Sequence, residues 1–300
     1  MNKHFFATAV TVLLSSVGSL FAQWPGEIDS TSYLFDADGS FTRVSVDIED
    51  VKSKIITVNP LIDDVMWRKT VIRAIDLRER QNWSLYYPYE NIDSLSQKNL
   101  FAIIFKALLQ GDVKGYLQPA DKLTPPPFTQ KYEFDIQKDL VERLFGDSED
   151  YQDDYKKIEF ITQGIVKYYI QETWYFDKHS STMGSKILSI APVYNREYNT
   201  TFDPAGEVDE GTMCWIPFER IRPYLQMEFM KTTGRNVNPI TDFDNFFVSR
   251  QFDSYIIKDY DVRGTLLDDP NKYPDPYKIR QEQERIESEI LNAEQDLWHY

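Results

Sequence analysis

Two stretches of this chain arrange hydrophobic and polar positions at different periods. In the first, Tyr168, Ile170, Trp174 and Phe176 alternate with Tyr169, Gln171, Thr173 and Tyr175, the period-two pattern of a half-buried strand. A polar turn from Asp177 to Gly184 leads into Lys186–Tyr194, a second strand containing Pro192, and together they predict an antiparallel hairpin. In the second, about Tyr277 to Trp298, residues Ile279, Ile286, Ile290, Ala293 and Leu297 form one stripe, with Gln283 completing the four-three spacing. That pattern predicts an amphipathic helix whose stripe must be buried, by default against its own domain and otherwise against another chain. Glu172 interrupts the apolar face of the first strand. A charge there must be paired or lie at the sheet's edge, so an arginine or lysine partner is expected.

Other elements follow from caps and breakers. Asn59-Pro60 predicts a helix start, and Leu61, Val65, Ile72 and Ile75, widened by Trp67, Val71 and Ala74, predict a helix to about Gln81. Leu85-Tyr86-Tyr87-Pro88-Tyr89 predicts a short extended segment. Ser94 or Ser96 is expected to cap a helix from about Gln97 to Leu109, with Phe101, Ile104, Phe105 and Leu108 inward and Gly111 as its stop. Gly115 to Phe128, with Pro119 and Pro125-Pro126-Pro127, reads as irregular. Asp135 to Phe145 predicts a third helix, and the acidic run Asp147, Glu149, Asp150, Asp153 and Asp154 predicts a solvated loop. Thr212 to Pro217 predicts a third strand and Phe218 to Phe229 a helix interrupted by Pro223. Asp242 to Val248 predicts a capped helix running into Ser254–Ile257, and Asp269 to Pro276 predicts a hinge.

Near the start, Tyr33-Leu34-Phe35 and Phe41–Val46 flank an Asp/Gly turn and predict a hairpin arm. Asp36, Asp38 and Gly39 do not make a calcium loop, because glycine falls fourth and the twelfth residue is Asp47 rather than glutamate. The expected organisation is a signal peptide over 1–22, an arm over 23–58, a core domain over 59–267, and a proline-rich hinge with a C-terminal helix over 268–300. The expected fold class is α+β, with helices packed on a small antiparallel sheet.

Lys3, His4, the apolar run Phe5–Phe21 and the small residue Ala22 read as a cleavable secretory signal, which places the mature start near Gln23. Thr8, Thr11, Ser15 and Ser16 make this run a poor permanent span. The first residue after the cleavage point is not a cysteine that could carry a lipid, so no direct membrane anchor is expected. Cys214 is the only cysteine, which excludes an intramolecular disulfide, and its apolar neighbours Met213, Trp215 and Ile216 predict a buried thiol. With 42% hydrophobic and 15% aromatic residues the chain can build a core. Its formal charge of −15, one unit more negative once Lys3 leaves, repels phosphate backbones and argues for protein partners rather than nucleic acid. Arg68, Lys69, Arg73, Arg78 and Arg80 form a locally basic stretch. The plain reading is a solvated face with Asp76 and Arg80 paired at i,i+4, and the sharper one is a docking surface for an acidic neighbour.

The mature chain retains His179 and His299 as its histidines, neither at ligand spacing from another histidine or cysteine, so no metal centre is expected. No phosphate loop or nucleophile elbow is present, and no cofactor is expected. Glu172 with Asp177 or Glu197 is the best candidate for a carboxylate pair of a glycoside hydrolase, although 48 acidic residues make such pairs inevitable. Exposed tyrosines and tryptophans that stack on sugars would make a glycan-binding protein, the other alternative.

A set of uncommon strings occurs in order from about Val58 to the end. They are Asp63-Asp64-Val65-Met66-Trp67, Arg73-Ala74-Ile75-Asp76-Leu77-Arg78-Glu79, Leu85-Tyr86-Tyr87-Pro88, Glu172-Thr173-Trp174-Tyr175-Phe176-Asp177, Ile190-Ala191-Pro192 and Asp296-Leu297-Trp298. This set resembles the GldN/PorN family of gliding-motility and type IX secretion proteins. The resemblance implies a non-enzymatic periplasmic subunit at the inner face of the outer membrane, needed for secretion across that membrane. It also implies self-association in a ring with a GldK/PorK-type outer-membrane lipoprotein, and contact with a GldM/PorM-type protein that crosses the envelope. The arm 23–58 and the run 147–154 match the family pattern poorly. Within this reading the expected partner contacts are the basic helix with Trp67, Arg73 and Arg78, the hairpin around Trp174, and the C-terminal helix around Ile286, Ile290 and Trp298. Each is also explicable as ordinary core or surface.

Overall fold

A computed structural model describes residues 64–90, 98–111, 113–118, 125–126, 128–146, 153–195, 210–231, 240–260, 267 and 275–297. The signal segment 1–22, the arm 23–58, the helix start at Asn59-Pro60, the acidic residues 147–152 and Trp298 lie outside the described residues. In chain order the strands are β1 (Val65–Asp76), β2 (Gly115–Tyr116), β3 (Glu133–Phe134), β4 (Ile165–Asp177), β5 (Thr182–Tyr194), β6 (Gly211–Thr212), β7 (Ile216–Pro217), β8 (Phe229–Lys231), β9 (Ile240–Asp242) and β10 (Tyr255–Asp259). The helices are α1 (Trp83–Tyr86), α2 (Leu100–Leu109), α3 (Glu142–Phe145, continuing a π-helical stretch Ile136–Val141), α4 (Asp154–Gly164), α5 (Phe218–Met227), α6 (Phe243–Val248) and α7 (Pro276–Leu297). The main sheet runs β10-β1-β4-β5-β6, with β7 pairing further along β5, and every pairing is antiparallel. The fold is α+β.

The expected hairpin is present as β4 and β5, with β4 longer at both ends and β5 longer at its start, but the middle of β4 is buried on both faces rather than half-buried because the sheet is covered on both sides. Its register places Tyr175 opposite Gly184, and a Cβ on Gly184 would come within 2.6 Å of the Tyr175 ring. The glycine therefore lets an aromatic ring lie flat across the neighbouring strand.

The helix expected as far as Gln81 is instead strand β1 over Val65–Asp76. Val71, Ile72, Ala74 and Ile75 are buried on both sides of the sheet and form an apolar run that contains helical spacing as readily as strand spacing. The β-branched Val65, Thr70, Val71, Ile72 and Ile75, together with pairing to β4 along nearly the whole strand, decide the outcome. Asp76 accordingly pairs with Arg78 at 2.7 Å rather than with Arg80.

Smaller differences have local causes. Asn99 caps α2 by accepting the Ala102 N–H at 2.7 Å, and Gly111 follows the helix at φ +76°, a conformation that disfavours a side chain. Asp153, expected in a loop, accepts the Tyr155 N–H and starts α4, a helix that the sequence reading missed. Leu85 and Tyr86 close the short helix α1, so the extended aromatic segment begins only at Tyr87. The strand expected over Thr212–Pro217 divides into β6 and β7, because Trp215 turns aside to exchange backbone hydrogen bonds of 2.8 Å with Tyr116. Helices α5, with Pro223 inside it, and α6, capped by Asp242, lie where the sequence predicts them.

On one face of the sheet Ile75, Tyr168, Ile170 and Ile190 pack against α2, α4, α5 and α6 in the main core, which also buries Cys214. The opposite face carries Ile72, Ala74, Tyr169, Ala191, Val193 and Ile257 beneath Trp215. By alternation along β1, Val71 shares the face of Ile75 but lies further along it, and there α7 takes over as the cover.

Candidate functional site

The floor beneath α7 is set by strand register. On the face of β1 that carries Val71, positions 69, 71 and 73 point the same way, and their partners on β4 are Trp174, Glu172 and Ile170. Strand β10 brings Ile256 beside Arg73 and Asp259 beside Val71. Ile286 and Ile290 of α7 bury themselves against Val71, Ile256 and Leu267, flanked by Trp67, Trp174 and Ile279. The Gln283 amide donates to the Ile256 carbonyl at 2.8 Å. One residue beyond Ile286, Glu287 accepts from both terminal nitrogens of Arg73 at 3.1 and 3.2 Å. Glu289 pairs with Lys69 at 2.8 Å, and Lys69 also meets Asp259 at 3.0 Å. The expected stripe is thus docked within the same chain, and its flanking acids match two basic residues of the floor.

Glu172 lies between this groove and the main core. Its carboxylate is 0% exposed and accepts from Arg73 Nε at 2.8 Å, from Trp174 Nε1 at 2.8 Å and from the Arg250 guanidinium. Burial pushes its pKa up, but Arg250 and Arg73 outweigh burial and hold it below the usual glutamate value. The expected cationic partner is therefore two arginines, at a strand interior rather than an edge. Arg250 follows α6 at φ +54°, and its guanidinium lies 4.7 Å from the Trp174 ring centroid and 5.4 Å from that of Phe252. A second buried network anchors α6. Arg222 of α5 grips Asp244 through two bonds of 2.7 and 3.1 Å and meets Glu219, which also binds Lys186 on β5.

Five residues singled out from sequence, Trp67, Arg73, Trp174, Ile286 and Ile290, converge on this one place. Arg78 does not. It is exposed at the end of β1 and bound to Asp76. Trp298 lies outside the described residues. Sequence reasoning missed Arg250, Ile256, Glu287 and Glu289. The two glutamates were detectable as the acids bordering the apolar stripe, whereas nothing in the sequence separates Arg250 from other arginines. Of the carboxylate pairs considered for glycoside hydrolysis, Glu172 with Asp177 does not assemble. Glu172 is sealed and held ionised, while Asp177, an odd number of positions along the same strand, points to the other face and binds the turn at His179 and Ser180. Glu197 is outside the described residues.

Among the described residues no cluster of histidine, cysteine, aspartate and glutamate is arranged to hold a metal ion. No described helix is long and apolar enough to cross a membrane. A family model described as "Gliding motility associated protein GldN" matches residues 61–299. No individual curated protein matches the chain.

Proposed function

Because the chain belongs to the GldN family of gliding-motility-associated proteins, and so to the gliding and type IX secretion machinery, we propose that it is a non-enzymatic structural subunit of that machinery. It works in the periplasm at the inner face of the outer membrane, held there by a GldK/PorK-type lipoprotein in a self-associating ring, and it meets a GldM/PorM-type protein that crosses the envelope. The single observation that carries this reading is the family match, which spans the described body and the tail helix together. The acidic charge and the sealed, ion-paired state of Glu172 support a protein-binding rather than a hydrolytic role. The exposed Arg78 is the partner contact proposed on the body, whereas Trp67, Arg73 and Trp174 lie under the docked tail and become available only with it displaced. Ile286 and Ile290 reach a partner only when the tail leaves its groove.

The test is affinity purification of the tagged protein from solubilised envelopes, with mass spectrometry and electron microscopy of the particles. Co-purification of a stoichiometric lipoprotein in ring-shaped particles is the expected result. A lone monomer under gentle conditions overturns the assembly, and turnover of a polysaccharide that is lost in Glu172→Gln overturns the non-enzymatic role.

A further inference from the structure

Helix α7 carries its own cap and its own ion pairs. Asp275 caps its start within the segment itself, accepting the Tyr277 N–H at 3.0 Å. Its outer face is braced by Arg280–Glu284 at 3.3 Å, Arg285–Glu282 at 2.7 Å and Arg285–Glu289 at 3.1 Å, all at i,i+3 or i,i+4 spacing. At 22 residues it exceeds the roughly 12–15 below which an isolated helix is marginal, so it does not have to unfold to leave the groove. Each polar contact described between α7 and the body comes from a tail side chain, namely Gln283, Glu287 and Glu289. Any copy of the helix can supply those contacts equally well.

We propose that the groove of Lys69, Val71, Arg73, Trp174 and Ile256 also receives the tail helix of a second copy of this chain, so that copies associate by exchanging α7. Two further features are compatible with exchange. Between the buried Leu267 and Asp275 the chain carries Pro270 and Pro274, with Pro276 opening the helix, and each proline biases the residue before it toward extended backbone. Charge also selects the guest, because Lys69 and Arg73 give an acidic helix a matched place to land whichever copy carries it. Exchange forms the same interface as self-docking and costs only the freedom of association. Reciprocal exchange closes a dimer, whereas exchange passed from copy to copy yields a ring or a filament. The proposal does not need the secretion reading, since it concerns the purified chain alone.

The test uses two otherwise intact chains with different tags, one carrying Lys69→Cys and the other Glu289→Cys, mixed at high concentration and treated with a flexible bis-maleimide. The native Cys214 is fully buried and its thiol pKa is pushed up by burial, so it stays silent. The expected result is a cross-linked product containing one chain of each kind, lost when Ile286→Asp is added to the chain that donates the tail. Mixing unmodified chains under two tags and recovering one tag through the other provides a readout free of the cysteine substitutions. If cross-linking occurs only within a single chain carrying both cysteines, and mixed tags never co-purify, exchange is wrong. If the mixed product survives Ile286→Asp, another surface makes the contact and the groove is not the site.

Discussion

Glu172 ties β1, β4 and the turn after α6 to one buried point through its carboxylate. Glu172→Gln removes the charge and leaves Arg73 and Arg250 facing an amide. Breaking a buried pair in this way costs about 3–5 kcal/mol, to be read from the urea midpoint. The pH dependence has a definite sign. The native carboxyl has a pKa below its ordinary value of 4.5, so the unfolded chain binds the extra proton first as pH falls. Its contribution is complete above 4.5 and is lost as pH falls through the depressed native value. The acid limb of a stability profile should therefore flatten in Glu172→Gln, and an unchanged limb would remove Glu172 as its cause. Gly184 offers a steric test. Gly184→Ala drives a Cβ into the buried Tyr175 ring and should cost about 1–3 kcal/mol in the same assay.

The separation of the apolar clusters predicts how α7 fails. Ile290 belongs to the small cluster with Val71, Ile256, Leu267 and Ile286, while the main core is built from α2 to α6 and the opposite face of the sheet has its own cluster. Ile290→Asp places a charge in the small cluster alone. Hydrogen exchange should show fast amides across Pro276–Leu297 and retained protection in β4 and β5. Loss of protection in those two strands as well would mean that the tail is part of the cooperative core. The legibility of these elements followed whether local spacing favoured one element over another. Helix α7 was readable because its charged outer side leaves a period in the sequence, β4 and β5 were readable from alternation of residue type and the polar turn between them although both of their faces are buried, and Glu172 was readable as a charge that had to find a cation. Strand β1 was not, because Leu61, Val65, Ile72 and Ile75 fit helical spacing as well as strand spacing, and the pairing with β4 that decides between them is not local in sequence. The site was legible residue by residue but not as one place. Trp67, Arg73, Trp174, Ile286 and Ile290 are brought together by the register between β1 and β4 and by the docking of α7, and neither is written in local spacing.

At the scale of the whole molecule the question is whether the body needs its tail. Ile286 and Ile290 are 1% and 5% exposed, and burying each contributes about 1.5–3 kcal/mol. Glu287 and Glu289 are 45% and 46% exposed, so their pairs with Arg73 and Lys69 add at most about 1 kcal/mol each and weaken in salt. The tail thus contributes several kcal/mol, against the roughly 5–15 kcal/mol of a folded domain whose main core lies elsewhere. Ending the chain after Leu267 should leave a body that still unfolds in one cooperative step, at a lower urea midpoint. It should also bare Val71, Ile256, Trp67 and Trp174 as an apolar patch that binds hydrophobic dyes and promotes self-association. A synthetic peptide spanning 275–297 should restore the midpoint and quench the dye in proportion to its occupancy, because a ligand that binds only the folded state stabilises it by mass action. The same peptide with Ile286→Asp should do neither. A truncated body with no cooperative transition would show instead that the tail completes the fold, and a body unaffected by the peptide would show that the groove closes once its own helix is gone.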